Sequence, residues 1–321
     1  VGDFLFDEDL LLVSEDGANL LARVTPIAFS VTGKIWVNNH AHVLKFESRV
    51  TQRYVEYILN SMSLEPYVTG AAQPKLNQKA LNSIKIPYPS IDIQNEFIEE
   101  IDGYQKIIDG ARLVVDSYRP QIKIDPEWKI KSLSEVAEVN PKKSQIIDLD
   151  GTTEVSFVPM ADLGEHQMSF EPKETKRLEE VYKGYTYFQD DDVLLAKVTP
   201  CFENGKAGIA KNLVNGIGFG SSEFIVIRAS DEVYPDWIYY VIASNKFRII
   251  GQPKMTGTGG LKRVPRDFVE DYPIPVPSKE EQLIQIEKIR KQQETVARNQ
   301  ELIQDFEQKI KDQIAEVWGE K

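Results

Sequence analysis

Residues 92–118 read DIQNEFIEEIDGYQKIIDGARLVVDSY, and the apolar side chains of this stretch recur at alternating spacings of four and three residues. An average period of ~3.5 residues is typical of a coiled-coil helix, whose apolar seam must pack against a partner helix. The sequence therefore predicts a long helix that requires a partner. Its seam consists of Phe97, Ile101, Tyr104, Ile108, Ala111, Val115 and Tyr118.

A second long apolar repeat near the carboxyl end supplies the predicted partner. Its apolar residues form a column with seven-residue spacing, which also indicates a coiled-coil helix. We expect one helix from Lys279 to about Trp318, packed antiparallel to the first. The column contains Ile289, Val296, Ile303, Ile310 and Val317, and it is flanked by Leu283, Ile286, Phe306 and Ile314.

The two helices belong to an internal repeat. The lead-in Ile86-Pro87-Tyr88-Pro89-Ser90 is echoed by Ile274-Pro275-Val276-Pro277-Ser278, and the register continues without a gap as far as Ile101 and Ile289. Prolines favour extended backbone, and the serine that follows them is a common helix cap. Each lead-in therefore predicts the start of a long helix.

The repeat also extends backward from the lead-ins. Thr69-Gly70 matches Thr256-Gly257, residues 55–61 match residues 238–244, and residues 6–11 resemble residues 188–194. The chain therefore uses one unit twice, a globule followed by a helix. We expect the first copy to lack the counterpart of residues 128 to about 183, because Val1 enters a fold that has already begun.

This organisation predicts an α+β protein with two strand-rich globules and two long helices packed as an antiparallel coiled coil. Helices of ~27–40 residues are ~40–60 Å long, which exceeds the ~34 Å of one turn of duplex DNA. The predicted parts are an incomplete first globule (residues 1–90), a first spacer helix (91–119), a second globule (120–277) and a second spacer helix (278–321).

Composition sets the broad class. The chain has 321 residues, 41% hydrophobic and 27% charged, as is ordinary for a globular protein. A single cysteine, Cys201, excludes an intramolecular disulfide framework and predicts a cytoplasmic protein. The net charge of −12 is unusual for a protein that binds nucleic acid. Much of it lies on helix faces, however, because residues 92–118 carry seven acidic and two basic side chains.

Four features occur together in this sequence. They are two globule-plus-helix repeats, a Thr-Gly turn with nearby basic residues, a Pro-x-Pro-Ser lead-in, and a following helix that carries Gln94 or Gln282. This combination resembles the specificity subunit of Type I restriction-modification enzymes. The resemblance implies that each globule is a target-recognition domain for one half of a split double-stranded DNA sequence. It also implies that the helices set the spacing between the domains and bind modification (methyltransferase) subunits, to which restriction (motor-nuclease) subunits add.

The same resemblance implies where the chemistry resides. The partner subunits would methylate adenine at N6 and would bind S-adenosylmethionine, ATP and Mg. This chain would then hold no cofactor and no metal, and it would catalyse nothing.

Candidate DNA-binding residues lie in the two Thr-Gly loops, because Lys, Arg and Gln supply donors for phosphate oxygens and purine edges. A second group follows the strand at residues 193–196, where an ordinary hairpin surface is nearly as good an interpretation. The loops contribute Gln73, Lys75, Lys254, Thr256, Thr258, Lys262 and Arg263, and the second group is Lys197, Thr199 and Lys206.

Other functional patterns are weak. His40 and His42 fall on one face of a strand, but no third metal ligand accompanies them. Gly257-Thr258-Gly259-Gly260 lacks the Lys-Ser/Thr of a phosphate-binding loop. The seven-residue recurrence of Gly103, Gly110 and Ser117 suggests a close approach of the second helix or of a partner, although these small residues are also consistent with tolerated breaks in helix propensity.

Two alternatives stay open at the sequence level. The chain is also consistent with the recognition region of a longer single-chain methyltransferase or restriction enzyme, which only upstream sequence would reveal. It is likewise consistent with a coiled-coil interaction protein without affinity for DNA.

Overall fold

The computed structural model describes residues 3–70 and 73–319, and it divides into two compact units. The first unit comprises Val1–Tyr118 together with Val296–Lys321, and the second is Arg119–Thr295. Both combine small sheets with helices, so the predicted α+β class is confirmed.

The first unit contains two small antiparallel sheets and four α-helices, of which the last is long. It also contains the carboxyl-terminal part of a second long helix, Lys279–Trp318. Strand β2 is central to a three-stranded sheet in the order β3-β2-β5, and β1 pairs with β4. The strands are β1 (Phe6–Asp7), β2 (Leu10–Ser14), β3 (Ala28–Val31), β4 (Lys34–Ile35) and β5 (Ala41–Leu44). The helices are α1 (Asn19–Ala22), α2 (Arg49–Ser61), α3 (Gln78–Ser83) and α4 (Ile91–Ser117).

The core of the first unit lies between β2, α2 and the beginning of α4. Leu11 and Val13 from the sheet meet Ile58 from α2 and Ile101 from α4, and all four are buried. Helix α2 forms because its apolar residues recur at helical spacing, and the Ser48 hydroxyl accepts a hydrogen bond from Val50 N at its start.

The second unit contains twelve further strands and six α-helices among its described residues. Its strands are β6 (Lys129–Ser132), β7 (Ala137–Val139), β8 (Glu154–Val158), β9 (Glu174–Arg177), β10 (Thr186–Gln189), β11 (Val193–Ala196), β12 (Ala207–Ile209), β13 (Ile217–Gly220), β14 (Phe224–Ala229), β15 (Thr256–Thr258), β16 (Leu261–Arg263) and β17 (Pro273–Val276). Its helices are α5 (Leu133–Val136), α6 (Leu178–Val181), α7 (Pro235–Ile242), α8 (Asn245–Gly251), α9 (Arg266–Glu270) and the amino-terminal part of α10 (Lys279–Trp318).

Two four-stranded sheets organise the second unit, in the orders β10-β13-β8-β9 and β12-β11-β14-β7. Only the β13–β8 pairing is parallel in these sheets. The main core packs Trp237 and Ile238 of α7 against Ile225 and Ile227 of β14. The strands β11 and β14 read as apolar runs because both of their faces are covered.

The strand pairings of the first unit recur in the second. Phe6 lies opposite Ile35 in the β1–β4 pair, as Phe188 lies opposite Gly218 in β10–β13. In the same way β2 pairs with β3 and β5, as β11 pairs with β12 and β14. The predicted internal repeat is therefore present as repeated structure.

Each globule is joined to its long helix by the same hydrogen bonds to the proline-rich lead-in. The Tyr54 hydroxyl donates to the Pro87 carbonyl at 3.1 Å, and the Trp237 indole donates to the Pro275 carbonyl at 2.8 Å. The proline rings leave no backbone N–H to donate, but their carbonyls still need partners. We call these two regions the first and second junction.

A buried glutamine completes each junction one turn into the helix. Gln94 Nε2 donates to the Pro89 carbonyl at 2.8 Å, and Gln282 Nε2 donates to the Pro277 carbonyl at 3.1 Å. The amide oxygens accept from Thr51 Oγ1 at 2.9 Å and from the backbone N–H of residue 234 at 3.0 Å. The lead-in is thereby held from both sides, which fixes where each helix starts.

The apolar seam of the long helices has two different partners. Phe97 and Ile101 belong to the core of the first globule, and Ile289 belongs to the core of the second. A 3.5-residue apolar repeat is satisfied by any apolar surface, so it does not by itself require a second helix. The prediction that Ile289 pairs with the first helix is therefore corrected to packing against its own globule.

The carboxyl-terminal half of α10 packs with α4 inside the first unit. The Tyr104 and Phe306 ring centroids are 5.2 Å apart, and Arg112 Nη2 lies 2.6 Å from Glu307 Oε1. The last turns of α10 pack against the cluster that contains the first turns of α4, so the two helices run antiparallel here. The residues in those last turns are Ile310, Ile314, Val317 and Trp318.

The remaining predicted pairing residues differ in burial. Ile108 and Ala111 are buried, whereas Val115, Val296 and Ile303 are half-buried. A Cβ atom added at Gly103 or Gly110 would meet nothing within 4 Å. Among the described residues no second helix approaches these glycines closely, so that part of the hypothesis is wrong, whereas the close approach of a partner protein stays a prediction.

Candidate nucleic-acid interface

The hairpin β15–β16 carries four of the predicted DNA-binding residues, and every residue of its two strands is exposed. Gly259 and Gly260 form its two-residue turn with φ angles of 63° and 81°, as a type I′ turn requires. A Cβ atom on Gly257 would lie 2.2 Å from the Leu261 carbonyl oxygen, so this position also needs glycine. The glycines therefore dictate a narrow ribbon with exposed side chains.

The register of the hairpin decides which side chains share a face. Thr256 lies opposite Arg263 and Thr258 lies opposite Leu261, so these four side chains point to one face. Lys262 lies opposite Gly257 and therefore points to the other face. Both faces are exposed and both carry hydrogen-bond donors.

Backbone hydrogen bonds tie this hairpin to the loop that follows β11. The Thr199 N–H donates to the Lys262 carbonyl at 2.9 Å, and the Val264 N–H donates to the Lys197 carbonyl at 2.8 Å. The structure thus brings together four predicted residues that are distant in sequence: Lys197, Thr199, Lys262 and Arg263.

The side chains of that loop make mostly local contacts. Lys197 Nζ donates to the Ser222 carbonyl at 2.8 Å, and Thr199 Oγ1 bonds to Glu203 Oε1 at 3.0 Å. Lys206 is half-buried and donates to the Met160 carbonyl at 3.3 Å. Lys254, in contrast, is exposed, with its Nζ 5.9 Å from the centre of the Phe268 ring.

The first unit has a matching hairpin at Thr69–Lys75. The two backbones exchange hydrogen bonds of 3.0 Å and 2.8 Å. Gly70 has a φ of 88°, and a Cβ there would lie 2.5 Å from the Gln73 carbonyl oxygen. Gln73 and Lys75 are both exposed, while residues 71 and 72 lie outside the described residues.

The two hairpins are anchored by identical backbone bonds. Leu76 N donates to the Glu15 carbonyl at 2.7 Å, as Val264 N does to Lys197. Glu15 N donates to the His40 carbonyl at 2.9 Å, and Lys197 N donates to the Glu223 carbonyl at 2.9 Å. These bonds make four positions equivalent. We call them the corner clusters: Glu15, Asp16, His40 and Lys75 in the first unit, and Lys197, Val198, Glu223 and Arg263 in the second.

The corner clusters place their acidic residues at different positions. In the first, Lys75 Nζ lies 3.1 Å from Glu15 Oε1, and His40 Nδ1 lies 2.9 Å from Asp16 Oδ2. In the second, Arg263 binds both oxygens of Glu223 at 2.9 Å and 2.6 Å. The hydrogen bond from Arg263 lowers the pKa of Glu223, and the same contact raises the pKa of Arg263. Only the hairpin position is basic in both clusters.

The histidines considered as metal ligands have other contacts. His40 faces Asp16, and His42 Nε2 lies 2.7 Å from the Leu76 carbonyl oxygen. Within the described parts of the chain, no group of three or more His, Cys, Asp and Glu side chains is placed to hold a metal ion.

Sequence reasoning missed the partners of the basic residues. Glu223 and Glu15 are the carboxylates that hold Arg263 and Lys75, and neither was a candidate. A signal existed, because continuing the match of residues 6–11 to residues 188–194 for a few positions aligns Glu15 with Lys197. The aligned position is acidic in the first copy and basic in the second, and this difference could have indicated where the corner clusters lie.

The chain is an α+β protein in which one structural unit occurs twice. Each half presents an exposed, anchored hairpin with a basic residue, followed by a long helix. Each helix within residues 3–70 and 73–319 is too short or too polar to span a lipid bilayer.

The model of the family "Type I restriction modification DNA specificity domain" matches residues 1–111 and 126–316, and the chain belongs to this family. Among curated proteins, the specificity subunit of the Type I restriction enzyme EcoEI of Escherichia coli is 46% identical over 156 residues, which cover 48% of this chain and 26% of that relative. The EcoAI specificity subunit, also from Escherichia coli, is 42% identical over 157 residues with the same coverage. The matched region thus spans about a quarter of each relative.

A solved structure shares the fold. A chain from a study of complex assembly and conformational transition in the type I R-M system superposes with a TM-score of 0.53 at 14% identity. The match covers 98% of this chain and 82% of that one. At this identity the likeness establishes a common fold and nothing more.

Proposed function

We propose that this chain recognises a bipartite DNA sequence and directs adenine-N6 methyltransferase and restriction subunits to it. The observation that carries the proposal is the recurrence of an exposed hairpin with a basic residue, held by the same backbone bonds in both units. A surface loop without function needs no such duplicated anchoring. Membership of the DNA specificity domain family supports the same conclusion.

The proposed division of labour assigns two kinds of DNA contact. Exposed Lys262, Lys254 and Lys75 meet phosphate oxygens, which position the protein without reading sequence. Thr256, Thr258 and Gln73 have hydroxyl or amide groups that bond to base edges. Lys206, Thr199 and Lys197 are half-buried and already bond to protein groups, so they have the weakest claim.

The long helices serve, in this proposal, as spacers and as the binding surface for modification subunits. Several apolar side chains on them are exposed, as expected of surface that a partner covers. Leu113 is 72% exposed on α4, and Ile284 is 58% exposed on α10. S-adenosylmethionine, ATP and Mg bind the partner subunits, and this chain contributes no catalytic residue.

Salt-dependent binding tests the proposal. The chain is assembled with its modification subunit, and fluorescence anisotropy measures its affinity for duplex DNA between 50 and 200 mM salt. Because each phosphate contact releases counterions, we expect a steep fall in affinity, and Lys262→Ala should lower the slope by about 1.

Lys211→Ala is the matched control for that experiment. Lys211 is also an exposed lysine of the second unit, so its removal changes the net charge equally but should leave the slope unchanged. If the wild-type complex binds DNA negligibly at every salt concentration, the proposal is contradicted. That result would favour an interaction protein without DNA affinity.

A further inference from the structure

We propose that Arg263 reads a guanine base in the DNA half-site of the second unit, and that Glu223 presents its guanidinium for this contact. The inference rests on the proposed DNA recognition and deepens it by naming the base. It is drawn from the position of Arg263, from the way Glu223 holds it, and from the contrast with the equivalent residue of the first unit.

The backbone of Arg263 is fixed on both sides. It lies opposite Thr256 in the hairpin, and it also forms a bridge with Val198 of the neighbouring loop. The side chain leaves this platform with 45% of its surface exposed, while Glu223 is 25% exposed. A residue that reads a base must be accessible yet preorganised, and Arg263 satisfies both conditions.

Glu223 orients the guanidinium through one edge. Its carboxylate accepts from Arg263 Nε at 2.9 Å and from Nη2 at 2.6 Å, which uses two of the five N–H donors. The edge formed by Nη1 and the second hydrogen of Nη2 is not used by Glu223, and the side chain is partly exposed. That edge offers two parallel donors in a fixed plane.

Guanine is the base whose major-groove edge fits two donors. Its O6 and N7 are adjacent acceptors, and a bidentate arginine is their commonest partner. Adenine presents an N6 donor beside N7, so one guanidinium N–H would face another donor. The geometry therefore favours guanine over adenine at one position of the half-site.

The first unit has a different group at the equivalent place. Lys75 is held by Glu15, and a lysine ammonium is a point charge without the planar fork of arginine. The two corner clusters therefore differ in how strictly they discriminate bases, although their backbone frames match. If the pair in the second unit merely stabilised the surface, replacing arginine by lysine would cost little base preference.

The test measures base preference with the intact chain assembled with its modification subunit. Four proteins are compared: wild type, Arg263→Lys, Glu223→Gln and Arg266→Lys. Each is incubated with a DNA library that has randomised half-sites, and the DNA that binds is sequenced. Arg266 is the matched control, because it forms a similar ion pair with Glu270 on α9 and lysine keeps its charge. Thermal unfolding confirms that each variant is folded.

We expect Arg263→Lys to lose roughly 5- to 150-fold of the guanine preference at one position, as a bidentate contact of ~1–3 kcal/mol implies. Salt-dependent affinity should remain, because the charge is kept. Glu223→Gln should weaken the same position by a smaller factor, and Arg266→Lys should change no position.

The possible failures are distinguishable. An Arg263→Lys variant with the wild-type guanine preference would overturn the inference and leave the proposed function standing. A wild-type complex that selects no sequence at all would overturn both.

Discussion

The two junctions between globule and helix have the same geometry but opposite charges. In the first, Arg53 of α2 binds Asp102 of α4 with an N–O distance of 3.0 Å. In the second, Asp236 of α7 binds Arg290 of α10 at 2.5 Å. The positions correspond in the two copies of the repeat, so acid and base have exchanged places.

The hydrogen bonds around these ion pairs have not changed. Both junctions use an aromatic donor and a buried glutamine on the proline carbonyls. A carbonyl needs a donor whatever the sequence, whereas an ion pair requires only that its two charges be opposite. The junction geometry is therefore set by the uncharged contacts, and the polarity of the pair is free to invert.

Breaking the equivalent core positions should have the largest effect. Ile101 and Ile289 match in the repeat and are 1% and 2% exposed. Changing either to Asp buries a charge among apolar groups, so we expect a loss of several kcal/mol or failure to fold. Ile101→Asp should unfold the first unit and Ile289→Asp the second.

Amide hydrogen exchange measures the two units separately in these variants. Leu113→Asp is the control for the exchange measurement alone, since this exposed side chain should tolerate a charge in the unassembled chain. Ile108→Asp should also disturb the first unit and prevent assembly with the modification subunit. Unchanged protection and assembly in Ile101→Asp and Ile108→Asp would exclude the spacer role of the helices.

Removing the junction glutamine should have the next largest effect. Gln282 is fully buried and bonds to the Pro277 carbonyl, the Glu232 carbonyl and the backbone N–H of residue 234. Gln282→Leu leaves these groups without partners, so the free energy of unfolding should fall by roughly 2–4 kcal/mol.

Chemical denaturation measures this loss, and Gln94→Leu should reproduce it in the first unit. Gln308→Leu is the matched control, because Gln308 lies on the exposed face of α10. Its side-chain amide donates a hydrogen bond to Asp312 on the same helix. Equal stability of Gln282→Leu and Gln308→Leu would show that the buried amide does not hold the junction.

Exchanging the two charges of one junction tests whether the polarity of its ion pair is interchangeable. Arg290→Asp places two carboxylates together, and we expect a loss of about 1–3 kcal/mol, between the values of exposed and buried pairs. The double variant Asp236→Arg/Arg290→Asp copies the polarity of the first junction and should recover most of the stability. A double variant no more stable than Arg290→Asp would refute the claim that polarity is interchangeable.

The smallest predicted effect concerns the second corner cluster. The hydrogen bond from Arg263 lowers the pKa of Glu223 below its ordinary 4.5, so Arg263→Ala should raise this pKa. Because the folded pKa lies below the unfolded one, the pair contributes to stability above the unfolded pKa. The contribution is lost as the pH falls through the folded pKa.

A side-chain NMR titration of Glu223 measures that shift. Identical titration of Glu223 in wild type and Arg263→Ala would show that the Arg263–Glu223 contact is not formed in solution.

Local signals made the helices and the repeat predictable. The lead-in with Ser278 and the apolar column predicted α10 at Lys279–Trp318, which are its bounds in the structure. Such signals act over one or two helical turns, so the sequence shows them directly. The helix α4 and the strand β11, predicted at residues 193–196, were located for the same reason.

The candidate interface was only partly predictable, because its members meet through distant contacts. Val198 pairs with Arg263, and Glu223 holds Arg263, although these residues are far apart in sequence. Strand register between separate segments depends on the packing of the whole unit, which no local pattern contains. The partner of Ile289 was missed likewise, because an apolar seam does not specify what covers it.

Methylation mapping tests whether this chain directs adenine methylation to a bipartite DNA sequence. Cells that express the modification subunit with or without this chain are compared by single-molecule sequencing that detects N6-methyladenine. We predict methylation at one two-part motif, present only when the chain is expressed, with guanine preference at one position reduced by Arg263→Lys. Methylation that lacks a motif, or that is the same without the chain, would contradict it.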